Sequence, residues 1–600
     1  VVEVVRLEEI LRGVDLPSHW GIPDPHFSKD LTLWDFQVEA VINGLKALNL
    51  FYYVLRGNRD FLASIYGVNP RVEPSRKVRE ALEEVLPRQV YFRDLVNRAC
   101  FWMATGSGKT LVALRLAKEI GRLMQANLIP KGGILILTSK DYVIEKLRKY
   151  GNKMGLEMVD LNRFSDLERV YVYRSDLIGL ERKEKILDFR EFSGDWYLIL
   201  DEAHKGDKSD SLRQWIFWAL SRTRFSMHFS ASFVEEIDMI TTAYTFNLSS
   251  FVRRGYGKHI TIIDRSLKEI GMLKPLILTS YLRKVVKSVP PLLLALVNTV
   301  NFTSKGFPDL LSFLSYVIQV ARGGVSEFEK AREQLSREVS GELLFEDRQL
   351  NLDLSGFTFP EFMYGLFGVS TPFHPTVTLH ADGIVSISNG ESPFCIVRIG
   401  NGRKWVRDTF PNHVISEDSG LFRSVDSLDR VSILVGSRAF YEGWDSPRPH
   451  VMVFVNLGLS ESSRKFVVQA VGRGVRVEHK GRKGRAELWG HYSDPREETL
   501  YVFGTDPLTL TVVLQTLRAE DSPLNVSPTV PSVELTEGDL GKLKEMLSAD
   551  RRVIWALLGD NPPNLHEILR GVRVRPGGPE ADLETIISVL RIGSFSSTLK

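Results

Sequence analysis

Cysteine is almost absent: Cys100 and Cys395 are the two in 600 residues. Thiols so far apart suggest neither a disulfide framework nor a zinc site. Net charge is nearly absent too, 77 basic against 74 acidic residues giving +3. Any contact with a polyanion therefore has to come from local basic surface rather than from a global field. No apolar run is long enough to cross a bilayer. The longest, Val289 to Val300, is broken by prolines at its start and Asn298 at its end. The opening VVEVVRLEEILRG lacks the basic flank and small-residue cleavage site of a secretory leader. Internal repeats and low-complexity tracts are missing as well. These absences argue against a membrane protein or a disulfide scaffold, and the expectation is a cytoplasmic protein.

What remains is ordinary globular composition, 43% hydrophobic and 25% charged, in a chain too long for one core. Two stretches alternate β-branched runs with helical periodicity, the pattern of parallel α/β domains. In the first, strands are expected at Gly132 to Ser139, Trp196 to His204 and Phe225 to Phe233, with helices in TLVALRLAKEIGRLM and KDYVIEKLRKYGNKM. In the second, strands are expected at Pro291 to Val300, Val431 to Phe440 and His450 to Gly458. Runs as continuously apolar as these imply sheets buried on both faces. Between them the character changes. Ser304 to Ser340 reads as amphipathic helix, and TVTLHADGIVSIS and FCIVRIGNGRKWVR each set an Xaa-Gly pair between two runs, a hairpin signal. SPLNVSPTVPSV, Ser522 to Val533, reads as a linker before a small helical tail.

The chemistry starts at MATGSGKT, Met103 to Thr110. A phosphate loop needs glycines so that main-chain N–H groups converge on phosphate oxygens, then a helix whose N-terminus favours anions. Met103, Ala104, Thr105, Gly106, Ser107 and Gly108 form that loop, with Met103 where a glycine or alanine is usual. Lys109 would reach the β- and γ-phosphates of ATP, and Thr110 offers a hydroxyl to Mg²⁺. The second signal is LILDEAH, Leu198 to His204. Two acids ending a buried strand are costly unless they meet a cation. Asp201 would hold Mg²⁺ and Glu202 would orient and deprotonate the attacking water, with His204 sensing the γ-phosphate.

With these motifs the chain resembles the superfamily 2 helicases, in particular the helicase (Res) subunit of type III restriction enzymes. The resemblance extends to Ser230, Ala231 and Ser232, similar to a coupling motif that normally reads Ser-Ala-Thr. It extends to EGWD, Glu442 to Asp445, whose backbone at Gly443 would contact nucleic acid and whose Asp445 would touch the ribose. In QAVGRGVR, Gln469 to Arg476, it implies two arginine fingers, Arg473 and Arg476. Three residues apart, one helical face can present both, and guanidinium groups suit charge spread over the γ-phosphoryl oxygens. Gln37, in LWDFQVEAV, resembles the glutamine that reads the adenine edge, with Trp34 or Phe36 as stacking partner. Here Trp-Asp-Phe-Gln stands where the family favours Arg-Pro-Tyr-Gln.

The fold so implied is α/β, with two RecA-like parallel-sheet P-loop domains, ATP between them, and an α+β insertion in the second. The expected organisation is an extension over 1–30, the first RecA-like domain over 31–250 and a connector over 251–287. The second domain would run over 288–515 with its insertion at about 301–430, and the small, mainly helical unit over 516–600. The implied function is an ATP-dependent translocase or helicase, on DNA rather than RNA, with a nuclease or methyltransferase partner subunit. Contacts to nucleic acid are expected at Thr138, Ser139, Lys140 and Ser175, and at Ser437 and Arg438. A basic loop, Glu478 to Arg485, reads as a phosphate grip or a solvated surface. Arg403, Lys404, Trp405 and Arg407 would form the tip of the second hairpin.

Two alternatives stand beside this reading. A motor with its own nuclease would need an acid and lysine cluster, for which Asp176, Glu181 and Lys183 come nearest. A nucleotide-gated clamp would keep Lys109 but could dispense with Glu202 or the fingers.

Overall fold

The apolar β-branched runs become strands, and the stretches of three-to-four-residue periodicity become the helices that cover them. The computed structural model describes residues 5–521 except 22, 29–30, 68–69, 71, 87–88, 181–185, 193–194, 202–211, 234, 264–271, 298, 300–308, 340, 347, 351, 400–402, 423, 437–445, 458–460, 493 and 506, together with 533–535 and 572–574. The chain divides into two units, 1–247 with 524–600, and 248–523.

Seven strands build the sheet of the first unit: β1 (Arg98–Met103), β2 (Gly133–Thr138), β3 (Met158–Asp160), β4 (Val170–Arg174), β5 (Trp196–Asp201), β6 (Ser226–Ser230) and β7 (Thr242–Phe246). They lie in the order β7–β1–β6–β5–β2–β4–β3 and every pairing is parallel. Helices cover such a sheet on both faces, so β2 is buried at all six of its positions. α1 (Asp35–Asn49) and α2 (Lys109–Gln125) pack closely because Gly44 has no side chain. A Cβ there would stand 2.6 Å from Leu116 and 3.1 Å from Phe101. α3 (Asp141–Lys153) follows β2, as its periodicity predicts.

Nine strands build the main sheet of the second unit: β8 (His259–Ile262), β9 (Leu292–Val297), β10 (Thr376–His380), β11 (Ile384–Ser388), β12 (Pro393–Arg398), β13 (Val414–Ser416), β14 (Ile433–Gly436), β15 (Pro449–Val455) and β16 (Thr499–Gly504). Their order is β8–β16–β15–β9–β14–β12–β11–β10–β13. Five strands at one end, β8, β16, β15, β9 and β14, are mutually parallel. The strands between residues 376 and 416, within the expected insertion, are continuous with this sheet. β12 pairs in parallel with β14, Cys395 opposite Ile433, and carries the antiparallel β11 and β10 outward. The helices α4 (Leu273–Val285), α5 (Asp309–Ala321), α6 (Phe328–Glu338) and α7 (Phe359–Phe367) share one apolar core with β9, β12 and β14. The amphipathic stretch after Ser304 is thus two helices, parted near Gly323, whose φ is +83°.

The Asp-Gly hairpin forms as expected, with β10 and β11 joined through Gly383 at φ +77°. The Asn-Gly one does not. After β12 the chain enters helix α8 (Arg403–Thr409), in which Trp405 is 5% exposed and Val406 fully buried. Both join the core, so burial of these two side chains overrides the turn signal, and Arg403, Lys404, Trp405 and Arg407 are no hairpin tip.

The linker and the helical tail expected after Ser522 lie outside the described residues, apart from Val533–Leu535 and Val572–Val574, which pair in parallel. Among the described residues no helix is long and apolar enough to cross a membrane.

Candidate active site

Three strand ends meet at the carboxyl edge of the first sheet. β6 lies between β1 and β5, with Ser230 opposite Trp102 on one side and Phe229 opposite Asp201 on the other. The loop after β1, the Ser230–Ser232 segment and Asp201 therefore follow three adjacent strands, and two strand spacings make about 10 Å. A carboxyl edge of this kind is where open α/β sheets bind ligands.

The loop takes its shape from two glycines. Gly106 and Gly108 have φ of +89° and +84°, the left-handed region in which a Cβ is strained. Gly108 also caps α2, and a Cβ on it would stand 2.3 Å from Gln37 Nε2. Ser107 N–H and Oγ both donate to the Ala104 carbonyl, at 3.2 and 2.7 Å. Ala104 N–H in turn donates to Phe246 O at 2.8 Å, which ties the loop to β7. Lys109 is 8% exposed, and its ammonium donates to Met103 O at 3.2 Å and Ala104 O at 3.3 Å. Thr110 is the second residue of the 17-residue α2, whose N-terminus carries the positive end of the helix dipole. These residues fit a nucleoside triphosphate and its Mg²⁺. The loop N–H groups and Lys109 suit the phosphates, while the Thr110 hydroxyl and the Asp201 carboxylate suit the ion.

Gln37 joins the loop from a distance of seventy residues. It is buried, donates from Nε2 to Ser107 O at 2.8 Å and accepts the Trp34 N–H on Oε1 at 2.9 Å. One amide hydrogen and one lone pair remain for a ligand. Of the two aromatic candidates beside it, Phe36 is ruled out as a stacking partner. It is fully buried, with its ring stacked on Phe246 at 4.0 Å. Trp34 stays partly exposed.

The Ser230 hydroxyl accepts the Ser232 N–H at 3.1 Å and donates to Ser232 O at 2.8 Å, closing a tight turn. Trp102 Nε1 donates to Ala231 O at 3.0 Å, fixing that turn to β1. Ser232 Oγ is buried with no hydrogen-bond partner among the described residues. Glu202 and His204 lie outside the described residues, as do Ser437, Arg438, Gly443 and Asp445.

Thr138 is fully buried, so its side chain is not on a surface open to a polymer. Ser139 and Lys140 follow β2, Ser175 follows β4, and all three are partly exposed. β2 and β4 are neighbours, and Arg174 pairs with both Asp141 at 2.8 Å and Asp176 at 2.6 Å. The Asp176 carboxylate is gripped through both oxygens, which spends the acid named for a nuclease. Glu181 and Lys183 lie outside the described residues.

In the second unit α9 (Glu461–Gly474) carries Gln469 and Arg473, four residues apart and both partly buried. Arg476 is not on that helix. The helix ends at Gly474, where a Cβ would meet Met452 at 2.7 Å, and Arg476 instead forms a β-bridge with Gly257. The RxxR spacing is therefore read across a helix end rather than along one face.

The structure also gathers Cys100, His228 and Asp238, whose ligand atoms lie within 4.8 Å of one another. Arg98 pairs with Asp238 at 3.2 Å, and the Cys100 thiol donates to the same carboxylate at 3.6 Å. Burial pushes the thiol well up and His228 well down. The acid is thus already compensated, and the group is a buried polar cluster.

Residues 71–235, which span the loop, Asp201 and Ser230 to Ser232, match the family model described as "Type III restriction enzyme, res subunit". That segment is therefore similar to the res-subunit model that its motifs resemble. No curated protein matches the chain. Among solved structures, S. cerevisiae Dbp5 bound to RNA and ADP BeF3 is similar at 12% identity, over 86% of this chain and 97% of that one, with a TM-score of 0.32. A point variant of the same protein, also bound to RNA and ADP BeF3, is similar at 12% identity, over 87% and 98%, again with a TM-score of 0.32.

Proposed function

Starting from a first unit that matches the res-subunit model, we propose that this chain is a nucleic-acid-stimulated ATPase that moves along or unwinds DNA. The observation that carries the reading is the loop 104–108 with Lys109 over it, set two strands from Asp201. A phosphate oxygen is a stronger acceptor than a neutral carbonyl, so Lys109 exchanges Met103 O and Ala104 O for the β- and γ-phosphates when the nucleotide binds. Gln37 keeps the loop in shape through Ser107 and turns its remaining amide hydrogen and lone pair to the base. Mg²⁺, held by Thr110 and Asp201, would neutralise charge on the β- and γ-oxygens.

Glu202 takes a proton from water as its oxygen attacks the γ-phosphorus. The bond to the β–γ bridging oxygen breaks, and ADP and phosphate leave. Arg473 and Arg476 neutralise the charge that spreads over the γ-phosphoryl oxygens. Ser230 to Ser232, at the end of the strand between the loop and Asp201, would pass the change in phosphate state to the rest of the unit. Ser139, Lys140 and Ser175 would hold the backbone of the bound strand. With Asp176 paired to Arg174, cleavage of DNA would fall to a partner nuclease.

The test is steady-state ATPase activity with no polymer, single-stranded DNA, duplex DNA and RNA, followed by strand displacement on a tailed duplex. Stimulation at least severalfold by DNA is expected. No turnover under any of these conditions would overturn the ATPase reading. Stimulation by RNA alone would overturn the choice of DNA.

A further inference from the structure

Two residues past Arg476 the sequence EHKGRKGRAELWGHY, residues 478–492, sets four basic residues against two acidic ones and adds a tryptophan and a tyrosine. Its basic half is a built element rather than a loose loop. Glu478–His479 pairs antiparallel with Arg482–Lys483. At the tip Lys480 and Gly481 have φ of +49° and +78°, the two left-handed residues of a tight hairpin turn.

The base of this hairpin is pinned. Gly484 N–H donates to Val477 O at 2.9 Å, and Arg485 N–H to Gly255 O at 2.9 Å. The Arg485 guanidinium, 1% exposed, donates to Val252 O and pairs with Glu346, each at 3.0 Å. Ala486 N–H donates to the Glu498 carboxylate at 2.7 Å.

The outer side of the element is different. Lys480, Arg482 and Lys483 are exposed. Neither Lys480 nor Arg482 has an ion-pair partner among the described residues. Arg482 lies over the Trp489 ring at 5.0 Å, and the His479 and His491 rings lie 5.2 Å apart. The charge of Lys480 holds the His491 pKa down. Beside them Tyr492 is 92% exposed.

We infer that the hairpin 478–483, with Trp489, His491 and Tyr492, is a stacking surface for single-stranded nucleic acid. The inference rests on the proposed function above and names a contact that its motifs do not supply. Cations interleaved with open rings match a strand that offers phosphates and unstacked bases together. A duplex hides its base faces, so it can engage the cations but not Tyr492. The pinned base delivers this surface from the segment that also carries Arg476, so a strand seated here lies close in sequence to the proposed catalytic arginines.

The test is fluorescence anisotropy of labelled single-stranded and duplex oligonucleotides on the full chain, its Tyr492→Ala and Tyr492→Phe variants, and the Lys480→Ala/Arg482→Ala pair. A side chain this exposed is replaced without unfolding the unit. Tyr492→Ala is expected to weaken single-strand binding roughly 5- to 100-fold, as removal of a stacked ring does. Duplex binding should hardly change, and Tyr492→Phe should restore the loss. The double variant is expected to flatten the dependence of log affinity on log salt by about 0.7 per lost phosphate contact. ATPase activity without polymer should stay at its original level in all three.

Wild-type binding with an unaltered Tyr492→Ala variant would overturn the inference, as would a Tyr492→Phe variant as weak as the alanine one. Binding of an acidic polypeptide such as polyglutamate in place of any oligonucleotide would overturn it in favour of a protein partner. Absence of all nucleic-acid binding by the wild type would instead strike the proposed function itself.

Discussion

Two buried cations, Lys109 in the first unit and Arg448 in the second, are both held by main-chain carbonyls. Lys109 donates to two carbonyls of its own loop, at 3.2 and 3.3 Å. Arg448, 2% exposed, donates to four from separate turns: Pro290 at 2.9 Å, Leu428 at 3.2 Å, Val431 at 2.6 Å, and Val425. The electrostatic problem is the same in both, since a charge removed from water must find acceptors. The solutions differ in mobility. The ammonium sits on a flexible stem beside left-handed glycines and a helix N-terminus, so it can trade its carbonyls for phosphate oxygens. The planar guanidinium is locked into one geometry by four acceptors. Lys109 belongs to the proposed site, and Arg448 ties together the loops around the start of β9.

Lys109→Ala breaks the comparison most severely on the first side. It should abolish ATP turnover and weaken nucleotide binding while leaving the urea midpoint nearly unchanged. The companion Glu202→Gln should bind ATP and fail to hydrolyse it, since water activation and phosphate grip are separate tasks. Turnover by Glu202→Gln within a few-fold of wild type would remove Glu202 from its role.

Arg476→Ala comes next. A rate loss of about a thousandfold is expected at little cost in ATP affinity, because an arginine finger acts on transition-state charge. Single-turnover kinetics beside equilibrium nucleotide binding would check it. Arg473→Ala should follow the same direction.

Arg448→Met tests the other side. Orphaning its carbonyls should destabilise the second unit by roughly 3 kcal/mol, read as a lower denaturant midpoint for that unit. An unshifted midpoint would mean that these carbonyls reach other donors.

A smaller effect is expected at Gln37. Gln37→Ala should cost about fivefold in ATP affinity, the worth of one ordinary hydrogen bond, and narrow the preference for ATP over GTP. Equal preference in variant and wild type would show that Gln37 only braces Ser107.

The smallest effect is a slope. Burial raises the Glu520 carboxyl from its ordinary 4.5 to about 7, against the opposing Leu248 N–H. The folded unit then holds a proton that the unfolded chain releases, so the contribution of Glu520 to stability is full below pH 4.5 and is lost as pH rises toward 7. Glu520→Gln should flatten that slope in urea titrations across this window.

Much of the site was legible in the sequence because its parts are local. Gly106, Gly108 and Lys109 need only a strand before and a helix after, and both formed. The apolar runs likewise marked three strands in each sheet. Arg476 was misplaced by its spacing, since nothing local shows that the helix stops at Gly474 and that Arg476 bridges to Gly257, more than two hundred residues away in sequence. Phe36 was misread for a similar reason: its partner Phe246 lies two hundred residues away. Trp405 and Val406 turned an expected hairpin into helix through burial that a turn signal cannot register.

The sequence by itself therefore determined the phosphate loop, the acidic strand end, the two α/β stretches and the first hairpin. Each depends on dihedral freedom, periodicity or charge within a few residues. Tertiary structure alone decided that Ser230 to Ser232 lies between the loop and Asp201, and that Gln37 braces Ser107. It also made residues 376–398 an extension of the second sheet. Strand order and long-range burial set these features, and both depend on which distant surfaces exclude water together.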